Sequence, residues 1–259
     1  FNKTLVIPQS TSKVKINFKN KKKIISFVGK LNTSKGYDSF GKAILKILNE
    51  FSEWKSIVIG DEPREKLLFK HSRLKLLGFK SNKFILNKLK EVSISVVPSK
   101  WNEPFGRSSL EASSRGCALI TSNRGGLKET TKDCLVISDI NEKSIYDKIK
   151  LLIKNDKLRK KLQINTYKNF YLTNKFVSNQ IDNLRYTLVD DLNLNKKIGK
   201  NIKILHVTNL NERFDGRLHY NTGKRINNGF IRLGHNVLSI SDRDILRENK
   251  SFSDISGIK

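Results

Sequence analysis

Between residues 24 and 138 the chain repeats one pattern: a short unbroken apolar run, a loop bounded by glycine or proline, then apolar residues at helical spacing. Residues 24–28 (Ile-Ile-Ser-Phe-Val) form the first run, and Gly29 opens the loop after it. Residues 39–51 place Phe40, Ala43, Ile44, Ile47 and Leu48 on one face of a helix. Further strands are predicted over 54–59, 74–79, 92–97, 117–121 and 135–138, with helices over 83–90 and 107–115, the latter stopped by Gly116. Apolar runs of this length without alternation are strands buried on both faces. The expected fold class is therefore α/β: a Rossmann-like parallel sheet with helices on both faces.

The rhythm changes at both ends. Residues 1–22 hold one apolar run, Leu5-Val6-Ile7, closed by Pro8, then a Lys-rich polar stretch; this reads as the end of a preceding domain and a linker. Residues 23–188 make the main domain, finishing with three helical segments near 142–154, 156–171 and 174–188. Residues 189–200 are polar and read as a linker. Residues 201–259 begin again: a strand over 202–207, a loop and helix within 216–233 stopped by Gly234, and a strand over 237–240. That is an incomplete second βαβ segment. The chain opens with Phe1 and contains no Met, so we expect a piece of a longer protein.

A net charge of +27 leaves several partners open: nucleic acid, an anionic membrane surface, or phosphorylated small molecules. A general Lys-rich composition accounts for part of it. The cations are scattered among Asp and Glu, without the interleaved aromatics of a nucleic-acid surface, so no nucleic-acid partner is expected. Cys117 and Cys134 sit in apolar runs and are expected reduced, in a cytoplasmic compartment. No apolar run approaches the ~20 residues of a membrane span.

The segment 96–112 concentrates the chemistry. A buried strand ends at Pro98, a loop carries Glu103 and Gly106, and a helix begins near Arg107. In an open parallel sheet, ligands bind at the carboxyl ends of strands. A helix N-terminus there offers free backbone N–H groups to an anion, and Gly106 lets it approach. Glu103 and Glu111 flank that position. Spacing alone leaves two readings: hydroxyl-accepting carboxylates, or a solvated loop Glu and an ordinary first-turn Glu. The loop after the first strand, 29–36, carries Lys30 and Lys35 between Gly29 and Gly36, where cations can neutralise a diphosphate.

Together these segments resemble family 4 glycosyltransferases (glycosyl transferases group 1), in their C-terminal, donor-binding GT-B domain. The resemblance rests on Gly29-Lys30-Leu31…Lys35-Gly36, on Pro98-Ser99…Glu103-Pro104-Phe105-Gly106…Glu111-Ala112, and on Gly125-Gly126…Glu129. It covers residues 24 to 188, and 201–259 look like the start of a second GT-B N-terminal domain. The resemblance implies an enzyme moving a sugar, with retention, from a nucleotide-diphosphate sugar to a glycan or lipid-linked acceptor in cell-surface polysaccharide biosynthesis. It implies Lys30, Lys35 and Glu103 as the catalytic residues. The two lysines hold the diphosphate, Glu103 the donor sugar and Glu111 the ribose. Gly29 and the backbone from Phe105 through Gly106 and Arg107 to Ser108 complete the donor site. Lys30 stands where the family has Arg, replacing a bidentate fork with a point charge.

The resemblance implies no metal and no other cofactor. It places any catalytic His in an N-terminal domain, leaving this piece inactive alone. The side chains of Arg107 and Arg124 are equally compatible with anion binding and with facing solvent. The basic charge suits peripheral contact with an anionic membrane at the inner face. Asp242-Arg-Asp244 matches a metal-binding pattern common by chance, away from the donor motif. The four histidines show no ligand spacing. A non-catalytic nucleotide-sugar-binding or scaffolding role is the alternative.

Overall fold

The computed structural model describes residues 6–194, 201–208 and 222–241. The chain divides into two compact units, Phe1–Tyr186 and Thr187–Lys259.

The first unit is built on six parallel strands: β1 (Lys22–Val28), β2 (Lys55–Ile59), β3 (Leu74–Leu76), β4 (Val92–Val97), β5 (Ala118–Ser122) and β6 (Cys134–Ile137). Their order across the sheet is β3-β2-β1-β4-β5-β6. The chain thus starts in the middle, runs outward to β3, and returns to lay β4 against β1. The helices are α1 (Tyr37–Glu50), α2 (Asn82–Leu89), α3 (Arg107–Ser114), the short α4 (Leu127–Thr130), α5 (Glu142–Lys154), α6 (Asp156–Lys168) and α7 (Asn174–Leu194).

Both faces of the sheet are covered, as the unbroken apolar runs require. One core joins Ile25 and Phe27 of β1 and Val96 of β4 to Phe40, Ile44 and Ile47 of α1 and to Ile145 and Ile149 of α5. On the other face Ile24, Ile57, Ile59 and Leu119 pack with Leu89 of α2 and Ala112 of α3. The α/β class and the parallel sheet are as expected.

Several boundaries differ, for local reasons. β3 stops at Leu76 rather than 79, because Gly78 takes a φ of 67° and turns the chain. α6 stops at Lys168 rather than 171. Phe170 and Leu172 turn inward to pack on Phe105 and Leu110, burial that a continued helix would forfeit. α7 runs on to Leu194, through the first residues of the stretch expected as a linker.

The stretch before β1 is also no free linker. The Thr11 amide donates to the Leu172 carbonyl at 3.1 Å, the Tyr167 hydroxyl to the Val14 carbonyl at 3.0 Å, and Phe18 meets Tyr167 edge to face. Arg115 donates to the carbonyl and hydroxyl of Ser12. Polar composition suggested solvation, but these backbone groups find partners on α6 and its neighbours.

In the second unit β7 (Lys203–Thr208) and β8 (Asn236–Ser241) pair in parallel, connected through α8 (Thr222–Arg232). His206 and Ser239 both hydrogen-bond the Asn227 side chain, at 3.0 and 2.6 Å. Gly216, His219, Asp242 and Asp244 lie outside the described residues. Cys117 is buried, Cys134 half-buried, and neither is in a disulfide. Among the described residues no helix is long and apolar enough to cross a membrane.

Candidate functional site

Strand order reverses between β1 and β4, so the loops leaving their carboxyl ends diverge and open a crevice. A cavity of about 190 Å³ lies there, between Val28-Gly29 after β1, Val97–Ser99 after β4, and Gly106–Ser108 at the start of α3. Lys35 and Glu103 complete its wall.

The β1–α1 loop is held rigidly. The Asn32 side chain accepts from the Lys35 amide at 3.0 Å and donates to Glu62 at 3.2 Å. Gly36 takes a φ of 72°, packed so closely on the Pro98 carbonyl that a Cβ would collide with it. The β4–α3 loop docks on the same turn: the Lys100 and Trp101 amides donate to the Ser34 carbonyl at 2.9 and 3.0 Å. Lys100 also pairs with Asp38 at 2.7 Å.

This docking brings Lys35 to Glu103. The ammonium donates to Oε1 at 2.6 Å, with the carboxylate only 12% exposed. Lys30 is not brought in. It is exposed, lies outside the cavity lining, and makes no hydrogen bond or ion pair among the described residues. Gly29 lines the cavity, but its amide donates to the Ile59 carbonyl at 3.0 Å and is not free for an anion.

α3 presents its first turn to the cavity. Gly106 caps it with a φ of 98° and no side-chain hydrogen bond, so the first amides of α3 lack an intrahelical acceptor. The Ser108 hydroxyl anchors the turn by donating to the Val28 carbonyl at 2.8 Å. Phe105 faces the other way, into the cluster with Leu110, Phe170 and Leu172. Its side chain is core, and Phe105 lies outside the cavity lining.

Glu111 is buried one turn further on. Its Oε1 accepts from Asn82 of α2 at 2.6 Å and from Arg107 Nε at 3.1 Å. Burial pushes the carboxyl above its ordinary value, partly offset by Arg107 and Asn82. Arg107 is therefore tied to Glu111 while remaining 69% exposed. Asn82 carries no sequence signal of this role; it opens a helix from a distant part of the chain. Arg124 is exposed and outside the cavity lining.

The Gly125-Gly126 pair has a geometric cause. A Cβ at Gly126 would sit 2.6 Å from the Pro104 carbonyl oxygen, and one at Gly125 would collide with Glu103 backbone. The Gly126 amide donates to the Glu103 carbonyl at 2.7 Å. The two glycines thus seat the loop that aims Glu103.

The arrangement is a cation and a carboxylate, Lys35 and Glu103, beside free helix amides, with Glu111 buried on α3 outside the cavity lining. It can neutralise phosphate and accept hydrogen bonds from hydroxyls. The sequence model of the family described as Glycosyl transferases group 1 matches residues 8–169. A 2-deoxystreptamine N-acetyl-D-glucosaminyltransferase from Niallia circulans is 25% identical over 155 residues, which is 56% of this chain and 40% of that protein. The chain spans about two fifths of the length of the curated relatives it matches.

Among solved structures, the C-terminal domain of a glycosyl transferase group 1 family protein (LpcC) from Francisella tularensis superposes with a TM-score of 0.53 at 23% identity. It covers 61% of this chain and 93% of that one. Anabaena HepE in complex with UDP-glucose gives 0.53 at 17%, covering 64% and 49%. These likenesses share the parallel sheet with flanking helices, and the chain belongs to the glycosyl transferases group 1 family, with a GT-B fold.

Proposed function

We propose that residues 23–188 bind a nucleotide-diphosphate sugar, and that the whole protein transfers its sugar to a glycan or lipid-linked acceptor. The Lys35–Glu103 pair beside the open first turn of α3 carries this reading. Lys35 and the α3 amides hold the diphosphate; Glu103 accepts from donor-sugar hydroxyls and Glu111 from the ribose. Breaking the sugar–phosphate bond places negative charge on the leaving diphosphate and positive charge on the ring. A fixed ammonium and helix end stabilise that diphosphate as charge develops. Lys30, exposed and outside the cavity lining, meets the diphosphate from the solvent side. The Gly29 backbone contributes shape rather than an N–H donor.

The reading uses no divalent metal and no other cofactor. Retention of anomeric configuration, membership of family 4 and a role in cell-surface polysaccharide biosynthesis at the cytoplasmic membrane face follow from the motif resemblance. The anion-binding groups described above supply the donor half of such a reaction. HepE, with the same type of fold, is solved with UDP-glucose, which supports a nucleotide-sugar ligand.

The test is thermal unfolding in the presence of UDP, GDP, ADP and their sugar conjugates at millimolar concentration. A rise in midpoint with one base, larger for its sugar conjugate, is the expected result. No shift with any nucleotide diphosphate sinks the proposal.

A further inference from the structure

The crevice just described lies at the carboxyl edge of the sheet. The amino edge carries a second concavity. A cavity of about 770 Å³ opens where β1, β2 and β3 begin and α2 ends. Lys22, Lys23, Lys55, Lys75 and Lys88 line it with Arg73, against Glu53 and Glu91. A neighbouring cavity of about 490 Å³ shares Lys21 and Lys23 and adds Lys19, Arg159 and Lys160 against Asp156.

Three of these cations have an internal task. The Lys21 ammonium donates to the carbonyls of Leu89, Val92 and Arg115 at 3.1, 2.7 and 2.8 Å. Arg73 Nη1 donates to those of Phe51, Ser52 and Trp54 at 2.7, 2.7 and 2.9 Å. Arg159 reaches the Leu152 carbonyl at 2.7 Å. Helix carboxyl ends gather at this edge of a parallel α/β sheet, and these groups satisfy their carbonyls.

The other lysines are not explained that way. Lys22 and Lys88 share Glu91 at 2.9 and 3.5 Å, and Lys23 meets Glu53 at 3.6 Å. Lys160 meets Asp156 at 2.6 Å. Lys19, Lys55 and Lys75 have no carboxylate partner among the described residues. Apart from Lys21 and Arg73, the larger cavity is lined by five lysines (Lys22, Lys23, Lys55, Lys75 and Lys88) against two glutamates, a net of three positive charges around one concavity.

We infer that this amino-edge cavity binds a phosphate-rich polyanion, a flexible chain of phosphate groups distinct from the ligand of the carboxyl-edge crevice. Concavity selects for a discrete multivalent ligand that several lysines can surround, over a flat bilayer. The apolar residues lining the larger cavity, Ile24 and Ile57, are buried and offer nothing to insert into lipid. That lining contains no aromatic ring on which a nucleic-acid base could stack. Repeated phosphate without bases or acyl chains is the chemistry that remains.

The test is binding of linear inorganic polyphosphate to the full chain, by calorimetry across a salt series. Binding that weakens steeply with salt is expected. The double variant Lys55→Gln/Lys75→Gln should bind about tenfold more weakly, each exposed contact contributing about two- to fivefold. A second pair, Lys22→Gln/Lys88→Gln, should weaken it similarly and covers the case in which the first variant fails to fold. Lys42→Gln/Lys132→Gln, exposed and outside both cavities, should bind as the parent does. Absence of binding overturns the inference, as does an equal loss in that control pair. Cosedimentation with phosphatidylglycerol vesicles in the absence of polyphosphate binding would assign the surface to a membrane instead.

Discussion

The Lys35 ammonium donates to Glu103 Oε1 at 2.6 Å, joining the loop after β1 to the loop after β4 across the reversal in strand order. The contact holds a cation and a carboxylate at defined positions on either side of that reversal. In the proposed function a diphosphate engages Lys35 and a donor-sugar hydroxyl engages Glu103. Preorganisation of this kind lowers the ordering cost of binding.

The two partners should separate by variant. Glu103→Gln keeps shape, removes the carboxylate, and leaves Lys35 free for phosphate. Nucleotide diphosphate affinity should hold or rise, while the sugar conjugate weakens about tenfold, the effect of losing one charge-assisted hydrogen bond. Lys35→Met should weaken both ligands. Calorimetric titration of diphosphate and conjugate against each variant checks this.

Glu111 predicts a pH dependence. Burial raises its carboxyl above the ordinary 4.5, so the folded chain binds that proton more tightly than the unfolded chain. The stabilisation belongs to the protonated form. It is complete below the unfolded value and lost as pH rises through the folded one. Glu111→Gln should therefore gain stability relative to the parent between acid and neutral pH, as measured by urea unfolding at pH 4 and pH 7. A ribose hydroxyl donating to the carboxylate favours its charged form. Nucleotide affinity of the parent should rise with pH over the same window, and in the variant it should be flat.

Gly126→Ala should cost about 2 kcal/mol through overpacking on Pro104, and should reduce donor binding by shifting the Glu103 loop. Gly78→Ala is the control. Its φ of 67° is strained for Ala, but a Cβ there meets nothing within 4 Å. It should cost about 1 kcal/mol and leave binding unchanged. Chemical unfolding and nucleotide titration of the two variants separate these outcomes.

Lys21→Met should destabilise the chain by on the order of 3 kcal/mol, because three helix-end and strand-end carbonyls lose their donor together. The neighbouring Cys117 thiol is enclosed and pushed upward by burial, and Cys134 is pushed up to about 11. Both should resist alkylation in the folded parent at pH 8 and react on unfolding. In Lys21→Met, Cys117 should label faster, as local opening becomes easier. Mass spectrometry of timed samples reads this directly.

The period of the apolar residues determined the sheet and its order of elements. β1, β4 and α5 lie where the pattern placed them, because an unbroken run can be satisfied only by burial on both faces. Gly106 also fell at a strand-to-helix turn for a local reason, a glycine cap, with Glu111 one turn into the helix it starts. Boundaries set by distant packing were not legible: α6 ends early because Phe170 and Leu172 pack on Phe105, and residues 11–18 bind α6 although their composition is polar.

The sequence by itself determined that two lysines, two glutamates and a glycine-capped helix share the carboxyl edge of one sheet, because chain order and strand polarity fix that edge. Only the tertiary structure decided which of them meet. Lys35 reaches Glu103 and Lys30 does not, since the Ser34 carbonyl clasps the opposite loop next to Lys35, while Gly29 and Leu31 hold to the β2 side and leave Lys30 exposed between them. Asn82 joins Glu111 from a helix twenty-nine residues away in the chain. Such pairings depend on where loops and helices dock in space, and no local preference of the residues encodes that distance.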